Sequence, residues 1–345
     1  MKLHEVTIKP ISGFGTPLMG DTIFGHFCWQ AAYDSGLLNG GLDRWIARYE
    51  EKPFAVFSSA WPIFSKDRAQ YALKRPALPN AILYPERVEW DKKKLISERK
   101  ELLKKQWMII GQDLSLHLNA VEYKTDQELL EEIWKERLGK APPWGLGYGS
   151  GQFISRFDQP HNSINRLTMT TGGGEFAPFV ETAANYYPGT ELAIFVLVDE
   201  EATDISRVAA GLEKIGKLGY GKNASTGLGR FEVCRSRGLN LPMPPSPNAC
   251  YTLAPCVPPR GVFSDCSFNP FVRFGKHGDV LVRSGNPFKN PVLMAGEGAV
   301  FFPRNSNSFD KPYIGRALLN TSKAIPQAVV QGYSLYLPFR LEGVK

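Results

Sequence analysis

Apolar and polar positions alternate from Leu3 to Lys9, which predicts a strand. Ile23, Phe24, Phe27, Cys28 and Ala31 then recur at helical spacing. They predict a helix opened by Asp21 and Thr22, either of which suits the N-cap, and ending near Gly36. Phe54 to Trp61 reads as a second strand, and Glu191 to Asp199 as a third, continuously apolar one. Ile205, Val208, Ala209, Leu212 and Ile215 predict a helix over Asp204 to Lys217, and Gly229 to Cys234 a last strand. Without the segment at about 62–190, the order is β-α-β-β-α-β, that of a ferredoxin-like unit. The same sheet is the platform of the RNA-recognition motif, whose signature aromatics are not evident here.

The inserted segment begins with a basic, proline-punctuated stretch, Pro62 to Pro85, read as an extended crossing. Leu42 to Glu51 before it looks like a short helix. Asp91 to Trp107 carries seven cations on a thin leucine stripe and reads as a basic helix. A solvated face is the commoner meaning of such a run, RNA or partner contact the rarer one. Asp126 to Leu138 is an acidic amphipathic helix, Ala141 to Gly151 breaks regular structure, and Gln152 to Phe157 is strand-like. Asp158 to Phe176 (DQPHNSINRLTMTTGGGEF) is a long polar loop between strand-like segments. Such loops are functional or disordered, and Arg156, His161, Asn162, Asn165 and Arg166 are donors suited to bases and phosphates.

Leu241 to Pro247 (LPMPPSP) reads as a linker. Beyond it lie short β-leaning stretches at 251–253, 262–263, 271–274, 280–282, 292–294, 299–302 and 328–339, and no helix of usual length. The expectation is an α+β chain of two domains, 1–240 and 248–345, the second β-rich.

A length of 345 residues with 43% hydrophobic content allows two domains with real cores. The net charge of +7 suits a polyanion partner without proving one. The five cysteines (28, 234, 250, 256, 266) form no CxxC, so free thiols in a reducing cytoplasm are expected, with neither a disulfide framework nor a zinc site. The N-terminus has no signal-peptide core, and the longest apolar run, Ala193 to Val198, is too short to span a membrane. A cytoplasmic protein without a cofactor is expected.

Gly216 to Phe231 (GKLGYGKNASTGLGRF) is the densest candidate for chemistry. Its five glycines permit positive φ and close approach, and successive amides can cup an anion. Gly216-x4-Gly221-Lys222 imitates a P-loop, but Asn223 stands where Ser or Thr must bind Mg²⁺, and the order is helix–loop–strand. Nucleotide hydrolysis is therefore not indicated. The competing reading is a plain surface loop. A second anion site is available where Gly13, Gly15 and Gly20 precede the first helix.

A ferredoxin-like unit with a glycine-rich loop between its last helix and last strand resembles the RAMP superfamily of CRISPR-associated RNA-binding proteins. TPLMGDTIFGHFCW (16–29), FSSAWP with LKRPALP (57–79), HNSINRLTMTTGGGEF (161–176), GYGKNASTGLGRF (219–231) and QGYSLYLPFRL (331–341) extend the resemblance over the chain. Together they look like the subunit of type III-A (Csm) effector complexes that caps the guide RNA. FSSAWP departs from that pattern, which has Asp after the first Ser and Gly after the Pro.

The resemblance implies two ferredoxin-like (RRM-like) domains and no catalytic role. It implies binding of the repeat-derived 5′ handle of the crRNA, and docking of a large polymerase-like subunit against the guide-binding backbone subunit. It maps RNA contact to Gly20, Asp21 and Thr22, and to the thumb-region motif His161 to Thr171, with His161, Asn162, Arg166 and Thr168; Arg156, a donor beside that loop, joins the candidate set on its chemistry. It also maps contact to the loop residues Gly219, Gly221, Lys222, Asn223, Ala224, Ser225, Thr226, Gly227, Gly229 and Arg230. The rival functions are a metal-independent guide-processing ribonuclease and a protein-only scaffold. The ribonuclease would use His161, since His26 reads as packed or capping and Asp21 lacks companion carboxylates for a metal.

Overall fold

The computed structural model describes residues 1–64, 70–83, 100–138, 152–305 and 309–342. Strand β1 (Lys2–Pro10) lies next to one edge of the N-terminal sheet and is buried on both faces over its middle. The other strands of its sheet are β2 (Ala55–Phe64), β3 (Gln70–Lys74), β4 (Trp107–Gly111), β5 (Glu122–Lys124), β8 (Glu191–Val198) and β9 (Phe231–Leu239). Their order is β5-β4-β3-β2-β8-β1-β9. Strand β1 runs antiparallel to β8 (Val6 opposite Ile194) and to β9 (Val6 opposite Ser236).

Helix α1 (Gly20–Tyr33) connects β1 to β2, and the last long helix, Ile205–Leu218, connects β8 to β9. The strands β2-β8-β1-β9 with these two crossovers are the β-α-β-β-α-β arrangement legible in the sequence. Phe27 of α1 packs on Phe57 of β2 with ring centroids 5.4 Å apart. Strand β8 is apolar along its length because the helices cover one face and the rest of the chain the other.

The inserted segment does not stand apart from this sheet. Strands β3, β4 and β5 continue it beyond β2. Residues 100–104 are helical, 91–99 of the expected basic helix lie outside the described residues, and Trp107 already belongs to β4. Two single-turn helices, α2 (Leu42–Ile46) and α3 (Asn80–Leu83), flank β2 and β3. Helix α4 (Asp126–Leu138) is started by a reciprocal cap. The Glu128 amide donates to Thr125 Oγ1 at 3.2 Å, and the Thr125 amide to Glu128 Oε2 at 2.8 Å. Leu129, Leu130 and Ile133 carry this helix into the core. The helix Ile205–Leu218, here α5, is capped by Asp204, whose carboxylate accepts from the Arg207 amide at 3.0 Å. Strands β6 (Ile154–His161) and β7 (Phe179–Tyr186) form a separate hairpin.

The C-terminal part is β-rich, as expected. Strands β10 (Ala249–Thr252), β11 (Phe263–Ser267), β14 (Val300–Pro303), β15 (Tyr313–Gly315) and β16 (Tyr333–Phe339) make one sheet, ordered β11-β14-β10-β16-β15. A two-stranded ribbon, β12 (Pro270–Arg273) with β13 (Val292–Ala295), accompanies it. The expected strand at Val280–Val282 is instead a 3-10 turn, Asp279–Arg283. The Ser284 hydroxyl and amide both donate to the Leu281 carbonyl, at 2.8 and 3.1 Å, and close it.

The two sheets meet at β2. Its ladder with β8 breaks between Phe57 and Ala60, and Ser58 Oγ there accepts from the Phe195 amide at 2.8 Å. The backbone freed by this bulge turns to the C-terminal part. Buried Gln331 accepts from the Phe57 amide at 2.9 Å and donates to its carbonyl at 2.8 Å. The Ser59 amide donates to Leu253 O at 2.9 Å. FSSAWP is thus the junction of the two sheets. All five cysteines are free. No helix among the described residues is long and apolar enough to cross a membrane.

Candidate nucleic-acid interface

The glycine loop leaves α5 at Gly219, whose φ is 103° and whose amide donates to Ile215 O at 2.8 Å. Buried Tyr220 turns inward. Its amide donates to Gly229 O at 3.0 Å, and its hydroxyl donates to Pro17 O at 2.8 Å while accepting from the Met19 amide at 3.3 Å. The Gly221 amide donates to His26 Nε2 at 3.0 Å, and the Lys222 amide to Thr16 Oγ1 at 2.9 Å. A short turn, Ala224–Thr226, follows Asn223, which holds φ 62°. The Thr226 and Leu228 amides donate to Asn223 O, the Gly227 amide to Ala224 O. Returning to β9, the Gly229 amide donates to Gly13 O at 2.7 Å and the Arg230 amide to Ser12 Oγ at 2.9 Å.

This geometry corrects the picture of a cradle of open amides. Most loop amides are engaged by the segment 12–17, by α1 or by the loop itself. Only around the tip, Asn223 to Ser225, do backbone N–H groups lack an acceptor among the described residues. The glycines serve close backbone packing. Gly229 has φ 75°, and a Cβ there would lie 2.1 Å from the Tyr220 carbonyl oxygen.

The hairpin docks against this loop. Phe14 and Ala184 exchange two backbone hydrogen bonds, at 2.7 and 2.9 Å, at the hairpin base. Glu181 of β7 reaches Lys222 Nζ at 3.2 Å and also accepts from Asn223 Nδ2. Two stretches far apart in sequence are joined here by one carboxylate. Gln159 lies opposite Glu181 and His161 opposite Phe179. These four share a face of the pleat, with His161 roughly 7 Å along the strand from Gln159. Arg156 has the other parity and sits on the opposite face, apart from the rest of the candidate set.

His161 stacks on Phe179 with centroids 5.3 Å apart and rings 14° from parallel, and its buried Nε2 has no hydrogen-bond partner. Beyond it, Asn162, Arg166 and Thr168 lie in the tip loop. That loop is shaped by Asn165 Oδ1 accepting from the Leu167 amide at 2.9 Å and by the Thr168–Thr170 hydroxyl pair at 3.0 Å. The tip also presents Ile164, Leu167 (94% exposed) and Met169 to solvent. The polar reading of the sequence passed over them, although three large apolar residues within INRLTM were the available signal.

At the start of α1 the expected cap is not formed. Met19 occupies the N-cap position and no side chain caps the helix. Asp21 lies within the first turn and is buried, held by Arg273 through Nε at 2.7 Å and Nη2 at 3.0 Å. Burial raises its pKa above the usual carboxylate value, and Arg273 opposes that shift. The carboxylate thus faces β12 of the C-terminal part. Gly20, whose amide donates to Ser59 Oγ at 3.3 Å, lets the helix start press on β2, since a Cβ would lie 2.3 Å from Phe57 O. Thr22 is half-buried beside it.

His26 joins α1 to the loop by accepting the Gly221 amide and by packing on Tyr220 with centroids 4.7 Å apart. Burial pushes its pKa down from 6.5 to about 4. Below pH 6.5 the unfolded chain takes up a proton that the folded chain refuses until about pH 4. Folding stability carried by neutral His26 is therefore present above pH 6.5 and lost as pH falls to 4, by about 3 kcal/mol at the end of the window. Urea denaturation at pH 7 and at pH 4.5 should show a smaller acid loss in His26→Gln than in the parent chain. Equal losses would place the protonation elsewhere.

No protein-family model matches the chain, and no curated protein does. Among solved structures, it aligns over 99% of its length with 100% of a chain in the Csm3-Csm4 subcomplex of the type III-A CRISPR-Cas interference complex, at TM-score 0.52 and 14% identity. It also aligns over 99% of its length with 98% of a chain in the Csm1-Csm4 cassette bound to pppApA, at TM-score 0.51 and 15% identity. With a chain of that cassette bound to AMPPNP, coverage is 100% of both, at TM-score 0.51 and 14% identity. The chain therefore has, from end to end, the fold of a subunit of type III-A CRISPR-Cas assemblies.

Proposed function

We propose that the chain is a non-catalytic, crRNA-binding subunit of a type III-A CRISPR effector complex. In this reading it grips the 5′ handle of the guide RNA and bridges the guide-binding backbone to the large polymerase-like subunit. The observation that carries the proposal is the full-length likeness to chains from two assemblies whose common component is Csm4. The glycine loop and hairpin support it, because Lys222, Asn223 and the face with His161 form one contiguous surface. Phosphates would be held there by cations and the loop tip, and bases by the hairpin.

Gel-shift titrations against handle RNA and a scrambled RNA at two salt concentrations test it. Salt-sensitive binding supports the proposal; the absence of such binding favours a protein-only scaffold. Co-purification with the large subunit tests the bridging role. The unpartnered His161 Nε2 keeps a guide-processing ribonuclease as the second reading. Specific cleavage of precursor RNA, abolished in His161→Ala, would replace the binding-only reading with that one.

Glu181 competes with any phosphate for Lys222 and Asn223. Glu181→Gln is expected to tighten binding of handle and scrambled RNA alike, by about two- to five-fold, the range of an exposed ion pair. Weaker binding in this variant would show instead that Glu181 orients the loop.

A further inference from the structure

The ribbon β12–β13 has two unlike faces. Phe271 pairs with Met294 and Arg273 with Val292 on the side that reaches Asp21. On the other side Val272 lies directly opposite Leu293, and both are exposed, Leu293 at 64%. Phe274, 73% exposed, continues this face, and Phe288 follows across an isolated bridge from Lys276. Contiguous exposed apolar residues of this kind mark contact surfaces.

The charge around them is net positive. Segment 270–293 carries Lys276 and exposed Arg283 against Asp279, besides Lys289, which is mostly buried on the side of Cys28 and Asp21. Arg273 is neutralised by Asp21, while Lys276 Nζ stands 5.4 Å over the Phe288 ring. We infer that the outward face of β12–β13 docks a partner protein whose surface is apolar at its centre and carries carboxylates around it. A second copy fits poorly, because a two-fold contact would set the same cations against each other. Rings at Phe274 and Phe288 flank an aliphatic centre, Val272 opposite Leu293, that offers a base neither a hydrogen bond nor a ring, so a protein surface covers the whole face better than RNA does. The inference rests on the proposed place in an effector complex, where the large subunit is the protein to probe.

The test is co-expression of the full chain with that subunit, followed by affinity capture and titration. Phe274→Ser/Leu293→Ser is expected to weaken capture at least ten-fold, with an unchanged melting temperature and unchanged affinity for handle RNA. Lys276→Glu is expected to weaken it less, and most at low salt. If the parent chain captures the large subunit and both variants capture it equally well, the docking face is overturned while the proposed function stands. If the parent chain captures none, the bridging role itself falls and takes this inference with it. Loss of RNA affinity in the double variant would make the face an RNA platform. Conversion of a self-associating parent to a monomer would make it a contact between copies. Either result overturns the inference.

Discussion

Arg273→Met is expected to destabilise the chain by about 3–5 kcal/mol, the cost of leaving one member of a buried ion pair alone. Asp21 is only 5% exposed, and Arg273 supplies the counter-charge and two N–H groups to its carboxylate, to which the Thr22 amide adds a further interaction. The partners are 252 residues apart, so the loss falls on the joint between α1 and the C-terminal ribbon. The pH dependence has a definite sign. Burial already raises the Asp21 pKa, so neutralising its carboxyl favours the folded state, and that contribution is lost as pH rises through the folded value. Without Arg273 the carboxyl has lost its main counter-charge. The penalty in Arg273→Met should therefore be larger at pH 7 than at pH 5. Asp21→Asn/Arg273→Met should recover part of it, because no charge is then left buried. Urea denaturation of the parent and variants at both pH values measures all three. A penalty below about 1 kcal/mol at pH 7 would show that water reaches the pair.

How much of this was legible beforehand depended on how local each signal is. The β-α-β-β-α-β order could be read because β8 is apolar throughout and α5 keeps a 3.6-residue apolar period. Strand β4 was hidden because Trp107 closes a run of cations that reads as helix, and β5 has only three residues. Val280–Val282 has strand-forming residues, yet Ser284 folds it into a turn. Asp21 matches a cap by type and place, and nothing nearby in sequence announces Arg273. The glycine loop stands out in the sequence as a special stretch. Its reason was misread in part, because glycine permits contact with neighbouring backbone as readily as with an anion. The meeting of hairpin and loop at Glu181 is a product of tertiary packing, so only the fold could show it.

Lys222→Ala/Arg230→Ala is expected to lower affinity for single-stranded RNA about ten-fold at low salt, and to do so equally for handle and scrambled sequences. Cations that touch phosphates release counterions, at about 0.7 in the slope of log affinity against log salt for each contact on a single strand. The double variant should therefore flatten the slope by about 1.4. The two residues should not contribute equally. Lys222 is already held 3.2 Å from Glu181, whereas exposed Arg230 has no carboxylate partner among the described residues. RNA must displace Glu181 to gain Lys222 but meets Arg230 free. Arg230→Ala alone should thus cost more than Lys222→Ala alone, and Lys222→Ala should cost more in a Glu181→Gln background than in the parent. Salt titrations of the single, double and triple variants separate these terms. An unchanged slope in the double variant would show that the loop's cations contact no phosphate and that its work is to hold α1, the 12–17 segment and the hairpin together.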